Sequence, residues 1–312
     1  MELPKIVVIG SVAIDRIMNF KGQYRDLIDV KNIEILSVSV LVDDLAIAEG
    51  GTGGNISANL ARLGEKPQLL SSVGRDAQSY VDKLAGLGVD VSKINYSDLP
   101  TASFNVLTDN AENQIGGFYA GAIADSKSVN IEGLADNSII WLAAYDPETM
   151  RRIVKSAEEL NIKLFYDPGQ QVSSISGEDL LAGIDAATGL IVNEYEYNAV
   201  LTKTSLSHEE IVGRLDLLVV THGKNGSKVY QKDLDTIEIE PVKPTQIADP
   251  TGAGDAYRSG FIYGYLRQWD VSKCGRLGSV MASFALEQHG PQAEITREQI
   301  SIRFKENFNE EF

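Results

Sequence analysis

Cysteine is almost missing: Cys274 is the only one among 312 residues. No disulfide can form within the chain, and a reducing compartment fits. Histidine is nearly as scarce, with three residues far apart in sequence. A thiol–imidazole pair is therefore a poor expectation, and Cys274 reads as a small buried packing residue. Basic charge is also short, 28 Lys+Arg against 44 Asp+Glu, for a formal net charge of −16. Such a surface repels a phosphate backbone and argues against nucleic-acid binding. A small anionic ligand stays compatible, because local N–H groups or a metal ion can reverse the field at one site. No apolar run approaches the roughly 18 residues that cross a bilayer. The N-terminal run IVVIG is too short for a signal sequence and is followed by Asp15 and Arg16. These absences predict a cytoplasmic protein without membrane partners. The phosphate-binding fingerprints are absent too. There is no G-x-x-x-x-G-K-[ST], and the two G-x-G-x-x-G-like stretches end in Ile56 and Tyr257.

What is present is an ordinary globular composition, 43% hydrophobic and 23% charged. Short apolar runs rich in β-branched residues read as buried strands at 5–10, 68–74, 138–144, 162–167, 189–193 and 216–223. Helical periodicity fills NISANLARLG, DAQSYVDKLAGLG and PETMRRIVKSAEELN between them. This alternation predicts an α/β fold with a doubly wound, mostly parallel sheet flanked by helices, in one domain over 1–312. A TIM barrel is the alternative, but β-rich excursions at about 12–49 and 98–122 break its rhythm. The first alternates with a period of two, and the second turns as a hairpin at Asp109–Asn113. Together they predict a small separate sheet acting as a lid. The charged C-terminal stretch RFKENFNEEF is expected to fray.

Chemistry concentrates at DPTGAGDAYRSG, residues 249–260, where a helix is about to begin. Gly252, Ala253 and Gly254 leave a run of N–H donors open, and a helix N-terminus is a natural anion seat. Asp255 would lie at the edge of that seat. An anion hole beside a base for an attacking hydroxyl is what phosphoryl transfer requires. The competing reading makes Asp255 a complement to the helix dipole and the glycines a tight loop. A second cluster, EGGTGGNISANLARLG, places Gly50 and Gly51 where backbone could approach a ligand. Asn55 there is either a ligand-binding amide or a helix cap. Asp15 follows the first strand, at the carboxyl end where doubly wound sheets bind ligands. Asn193 and Glu196, spaced i, i+3, suit either a hydrated Mg²⁺ or a capping box. THGKNGS at 221–227 reads as a hairpin turn, and Asp167-Pro168-Gly169 as a turn ending a strand.

In that order along the chain, these segments resemble the ribokinase (pfkB) family of sugar and nucleoside kinases over essentially the whole length. D-x-x-G-A-G-D at 249–255 looks like its C-terminal signature, and GG with Asn55 like its N-terminal one. NEYE matches its N-x-x-E element and VVTHGKNGSKVY its T-x-G-x-x-G stretch. The resemblance implies an ATP-dependent enzyme with Asp255 as base and the N–H groups of Gly252, Ala253 and Gly254 as anion hole. It places Asp15, Gly51 and Asn55 on ribose hydroxyls, with Gly50 and Asp167 beside the substrate. Asn193 and Glu196 would serve the Mg²⁺–phosphate network, and Thr221, Gly223 and Gly226 the ATP site. Asp249 and Thr251 fall near the family's monovalent-cation site. Pro250 and the segment EQHGPQAE (287–294) depart from the usual pattern there and leave potassium dependence open.

GGTGGN, NQIGGFYAGA and DPGQQ look most like bacterial and archaeal adenosine-kinase-like enzymes, with Thr52 in place of a ribose kinase's lysine. The expectation is 5′-phosphorylation of a nucleoside, adenosine foremost. One of Phe118 and Tyr119, which alternate on a strand, would face the base. Phe118 is the expected wall. A sugar kinase, or a binding protein without turnover on the same fold, is the alternative. Pairing of two copies through the lid is a further expectation.

Overall fold

The computed structural model describes residues 3–28, 37–111 and 113–312. The chain opens with β1 (Lys5–Ile9), β2 (Ala13–Asn19), the single turn α1 (Tyr24–Leu27) and β3 (Asp44–Gly50). Helix α2 (Thr52–Arg62) leads to β4 (Gln68–Leu70), β5 (Ser72–Gly74), α3 (Gln78–Leu87) and β6 (Asn95–Ser97). The hairpin β7 (Ala102–Thr108) and β8 (Gln114–Tyr119) precedes β9 (Ser138–Leu142), α4 (Pro147–Glu159) and β10 (Lys163–Tyr166). Then come α5 (Gly177–Ala186), β11 (Gly189–Asn193), α6 (Glu194–Thr204), α7 (His208–Val212) and β12 (Leu217–Thr221). Strands β13 (Ser227–Tyr230) and β14 (Ile237–Ile239) and helices α8 (Ala253–Leu266), α9 (Val271–Leu286) and α10 (Arg297–Phe308) complete it.

The main sheet runs β14-β13-β12-β11-β10-β9-β1-β4. It is parallel from β4 to β12, and β13 and β14 add antiparallel at one edge. The doubly wound expectation holds. Strand β1 shows why its run reads as continuous apolar sequence: Ile6 and Val8 face one core, Val7 and Ile9 the other. Helices α2, α3, α8, α9 and α10 cover the first face, and α4 to α7 the second. Because the chain goes from β1 outward to β4 and then back across to β9, the winding reverses between β1 and β9. Doubly wound sheets bind ligands outside the carboxyl ends at such a reversal.

The lid is a four-stranded sheet, β3-β2-β7-β8. Its hairpin turns where expected: the Asp109 carboxylate accepts N–H bonds from Ala111 and Asn113, each 2.9 Å. The period-two run extends less far than its pattern suggests. Residues 37–43 form no strand, and residues 29–36 of the predicted excursion lie outside the described residues. The 68–74 run also divides, because β5 leaves the main sheet to pair with β6. The C-terminal stretch corrects its expectation. Phe312 packs against Tyr263, Trp269 and Phe304, and Glu310 and Glu311 pair with Arg276 and Lys305, so apolar burial anchors the charged tail. Cys274 is buried as expected, and burial pushes its thiol up to about 12. No helix of the described residues is long and apolar enough to cross a membrane.

Candidate active site

A cleft of about 560 Å³ opens between the lid and the carboxyl ends of β1 and β9. Its floor is built by two helix starts. At α8, Gly252 adopts φ +79°, and a Cβ there would meet the Pro291 carbonyl oxygen at 2.4 Å. Only glycine makes this turn, and it leaves Ala253, Gly254 and Asp255 as the first three helical residues with their N–H groups unclaimed by a side-chain cap. At α2, Gly51 takes φ +87° with a Cβ position 2.5 Å from the Ser11 carbonyl oxygen. Thr52 closes the reversal point: its hydroxyl lies 3.2 Å from the Ser11 hydroxyl and donates to the Ala144 carbonyl at 3.2 Å.

Asp255 lines this cleft together with Asp15, Gly51, Asn55, Thr251 and Gly252. Burial raises its carboxyl, while Arg258 and the Asn55 hydrogen bond oppose the rise. A carboxylate made more basic in this way suits a proton acceptor. Asn55 settles one alternative. Helix α2 already begins at Thr52, so Asn55 lies inside it and caps nothing. Its Nδ2 donates instead to Asp255 Oδ2 at 2.8 Å. Asp15 is pushed up to about 6, first by burial and then by the charges of Asp249 and Asp255.

The lid register explains what Asp15 faces. Strand pairing sets Asp15 opposite Phe104, and Phe104 opposite Phe118. Directly opposed residues share a sheet face, so one carboxylate and two aromatic rings form a row, and all three line the cleft. Tyr119 belongs to the neighbouring row with Ser103 and does not line it. Phe104 carried no signal in the sequence, since only the register puts it beside Phe118. Gln170 and Gln171 of DPGQQ also reach the cleft, from the turn after β10.

Other expected residues stand beside or behind the cleft. Asp167, expected against the substrate, is 2% exposed and faces Arg258 instead. Arg258 Nε lies 2.6 Å from Asp167 Oδ2, and its Nη2 reaches Asp167 Oδ1 at 2.8 Å and Glu196 Oε2 at 3.4 Å. Trp141 Nε1 donates to the same Asp167 carboxylate at 3.2 Å. Burial raises Asp167, and Arg258 partly restrains it. Arg258 folds back one turn toward the helix start, where a Cβ on Gly254 would come within 2.7 Å of its Nη1. That contact gives Gly254 a packing reason as well as a chemical one.

Asn193 and Glu196 form a capping box, with Asn193 Oδ1 accepting from the Glu196 N–H and Glu196 Oε2 from the Asn193 N–H, both 2.8 Å. The capping box of the sequence reading is therefore formed, with Glu196 buried against Arg258. Thr221 ends β12, and Gly223 and Gly226 lie in the β12–β13 connection at the same end of the sheet. Gly223 and Gly226 both have positive φ, and no atom lies within 4 Å of a Cβ on Gly223. Asp249 ties two loops together, accepting from Thr251 N at 2.8 Å and Gly290 N at 3.0 Å. Gly50, at the end of β3, sits against Asp15, with the Cβ position 2.7 Å from Asp15 Oδ2.

This geometry offers a helix start with N–H groups free of a side-chain cap, an adjacent buried carboxylate and an aromatic wall above them. Compared with known proteins, residues 3–298 match the pfkB family carbohydrate kinase. The nucleoside kinase of Methanocaldococcus jannaschii is 33% identical over 297 residues, 94% of either chain. The structure of Burkholderia thailandensis nucleoside kinase in complex with inosine superposes with a TM-score of 0.88 at 31% identity, covering 98% of this chain and 99% of that one. The same kinase in complex with ADP-inosine gives 0.86 at 31% identity, over 98% and 97% of the two chains.

Proposed function

The chain belongs to the pfkB family of carbohydrate kinases, an ATP-dependent phosphotransferase, and from that premise we propose that its acceptor is the 5′-hydroxyl of a purine nucleoside, adenosine foremost. The observation that supports a nucleoside over a bare sugar is the row Asp15–Phe104–Phe118. Asp15, with Gly51 and Asn55 below, offers acceptors and donors to vicinal ribose hydroxyls. The two phenyl rings beside it give a base an apolar surface, and stacking a base on an aromatic ring contributes roughly 1–3 kcal/mol in other settings. The similar Burkholderia kinase, solved with inosine, supports the same class.

Asp255 takes the proton of the 5′-hydroxyl as its oxygen bonds to the γ-phosphorus and the bond to the ADP oxygen breaks. The N–H groups of Gly252, Ala253 and Gly254 hold the transferring oxygens by preorganised dipoles that need no reorientation during the step. The turn with Gly223 and Gly226 accommodates the nucleotide, since the open Cβ position of Gly223 leaves room for close approach. Mg²⁺ on the ATP phosphates would neutralise their charge. Among the described residues no group of three metal-ligating side chains exists, which fits an ion that keeps most of its waters. Glu196, with Asn193, would reach it only through water, and a monovalent cation would sit by Asp249 and Thr251. The exposed apolar residues of β3 and β8, among them Ile47 and Ile115, support pairing of two copies through the lid.

The panel of adenosine, inosine, other nucleosides, ribose and fructose, assayed for ADP release, tests the substrate class. Adenosine or inosine should give the highest kcat/KM. A free sugar that wins by an order of magnitude overturns the nucleoside assignment and installs a sugar kinase.

Asp15 makes nucleoside affinity pH-dependent. Hydroxyl donors favour its ionised form, so affinity should be full above about 6 and fall as the pH drops through that value. The free protein behaves oppositely. A carboxyl raised in the folded state contributes stability that is present below its unfolded value and lost as pH rises through about 6. Asp15→Asn should flatten the binding profile, and calorimetric titration at pH 5 and 8 reads it. An equal pH dependence in that variant would assign the effect elsewhere.

A further inference from the structure

The segment 287–294, which departs from the family pattern, sends one side chain into the catalytic floor. Gln292 Nε2 donates to Asn55 Oδ1 at 3.2 Å and also to the Tyr80 hydroxyl oxygen. Tyr80, on α3, is fully buried, and its hydroxyl donates to the Gly50 carbonyl oxygen at 3.1 Å. A carbonyl has no proton to give, so the Tyr80 proton must point at Gly50. The Tyr80 oxygen can then only accept from its other neighbour, which fixes the Gln292 amide with nitrogen toward Tyr80 and Asn55. Gln292 Oε1 is left buried without a hydrogen-bond partner among the described residues. An unmet buried acceptor is unfavourable, so the orientation is set by the two oxygens that its nitrogen faces. The second Gln292 proton holds Asn55 Oδ1, and the Asn55 N–H is thereby turned onto Asp255 Oδ2 at 2.8 Å.

We propose that Gln292 and Tyr80 are positioning residues for phosphoryl transfer, fixing the Asn55 amide so that Asp255 Oδ2 is reserved as an acceptor and Oδ1 takes the substrate proton. The assignment rests on the reading of Asp255 as base. The chain of fixed polarity starts at a backbone carbonyl and ends on a carboxylate, with each step allowing one orientation. A hydrogen bond to the charged form favours that form, so this chain works against burial in keeping Asp255 ready to accept. Several other charged groups act on Asp255: Arg258 on its own helix, Glu196 from α6, Asp15 from the lid and Asp167 after β10. Asp249, which like Asp255 raises Asp15, lies in the loop before α8. All of them are unchanged in Gln292→Leu and Tyr80→Phe, which add no charge, so a shift in those two variants reports on the amide chain.

The test is the kcat–pH profile of Gln292→Glu, Gln292→Leu and Tyr80→Phe. The acidic limb should move to higher pH by about one unit in Gln292→Glu, because its carboxylate draws the Asn55 N–H away from Asp255 and adds a like charge nearby. Gln292→Leu and Tyr80→Phe should move it in the same direction by less. A space-filling role leaves the limb unmoved in Gln292→Leu and Tyr80→Phe. That result overturns the proposal. Carbon-13 NMR of the Asp255 carboxyl, assigned with Asp255→Asn, reads the same shift without turnover. If wild type phosphorylates no nucleoside or sugar, the base reading fails, while an unmoved Asp255 titration in Gln292→Leu and Tyr80→Phe refutes the amide chain itself.

Discussion

Asp255→Asn should lower kcat by about 10²–10⁴, the usual cost of removing a general base, while the protein becomes no less stable. The amide keeps the size of the side chain, and its oxygen can still accept the Asn55 bond. It cannot take the proton of the acceptor hydroxyl. The stability half of the expectation follows from the direction of the shift. Burial raises Asp255 in the folded state against the restraint of Arg258 and Asn55. Such a group contributes stability that is present below its unfolded value and lost as pH rises through the folded one. At pH 7.5 the neutral amide avoids that loss, so its melting temperature should equal or exceed that of wild type. Steady-state kinetics with thermal melts at that pH check both halves. A kcat within a few-fold of wild type, with reduced stability, would make Asp255 a dipole complement instead.

Arg258→Met should cost about 3–5 kcal/mol of folding stability, since breaking a buried pair leaves uncompensated charge behind. Two carboxylates are involved, Asp167 at 2% and Glu196 at 7% exposure, and Arg258 is the cation that meets both. Arg258→Lys should recover only part of the loss, because an ammonium cannot reproduce the forked approach of the guanidinium to Asp167. The double variant Arg258→Met with Asp167→Asn should be less damaged than Arg258→Met alone, and urea denaturation of wild type, each of these two single variants and the double variant gives the coupling. The penalty should also be smaller in acid. Burial already raises Asp167, and without Arg258 it rises further, so a proton can neutralise it at the low end of the pH range. A loss under about 1 kcal/mol, in the range of a surface pair, would mean that the cluster is solvated and does not brace the site.

The central strands of the main sheet, helices α2, α3 and α4, the start of α8, the two glycine turns and the lid hairpin were legible in the sequence. Each is set by chemistry within a few residues: apolar period, an aspartate that accepts its own turn's N–H groups, a glycine where φ is positive. The chemical character of the α8 start was legible for the same reason, since Gly252 to Asp255 lie in one turn. Where local spacing satisfied two roles at once, only the tertiary structure decided. Asn55 looks like a cap until α2 is seen to begin at Thr52, and its partner Asp255 is 200 positions away. Arg258 gave no signal because Asp167 and Glu196 lie 91 and 62 positions from it. Phe104 meets Phe118 only through the register of β7 and β8, and the charged tail is anchored by the packing of Phe312. Periodicity and turn chemistry follow from the covalent geometry of neighbouring residues, which the sequence by itself determines. Which distant side chains meet follows from register, crossover and the packing of whole elements, and local spacing holds no record of those.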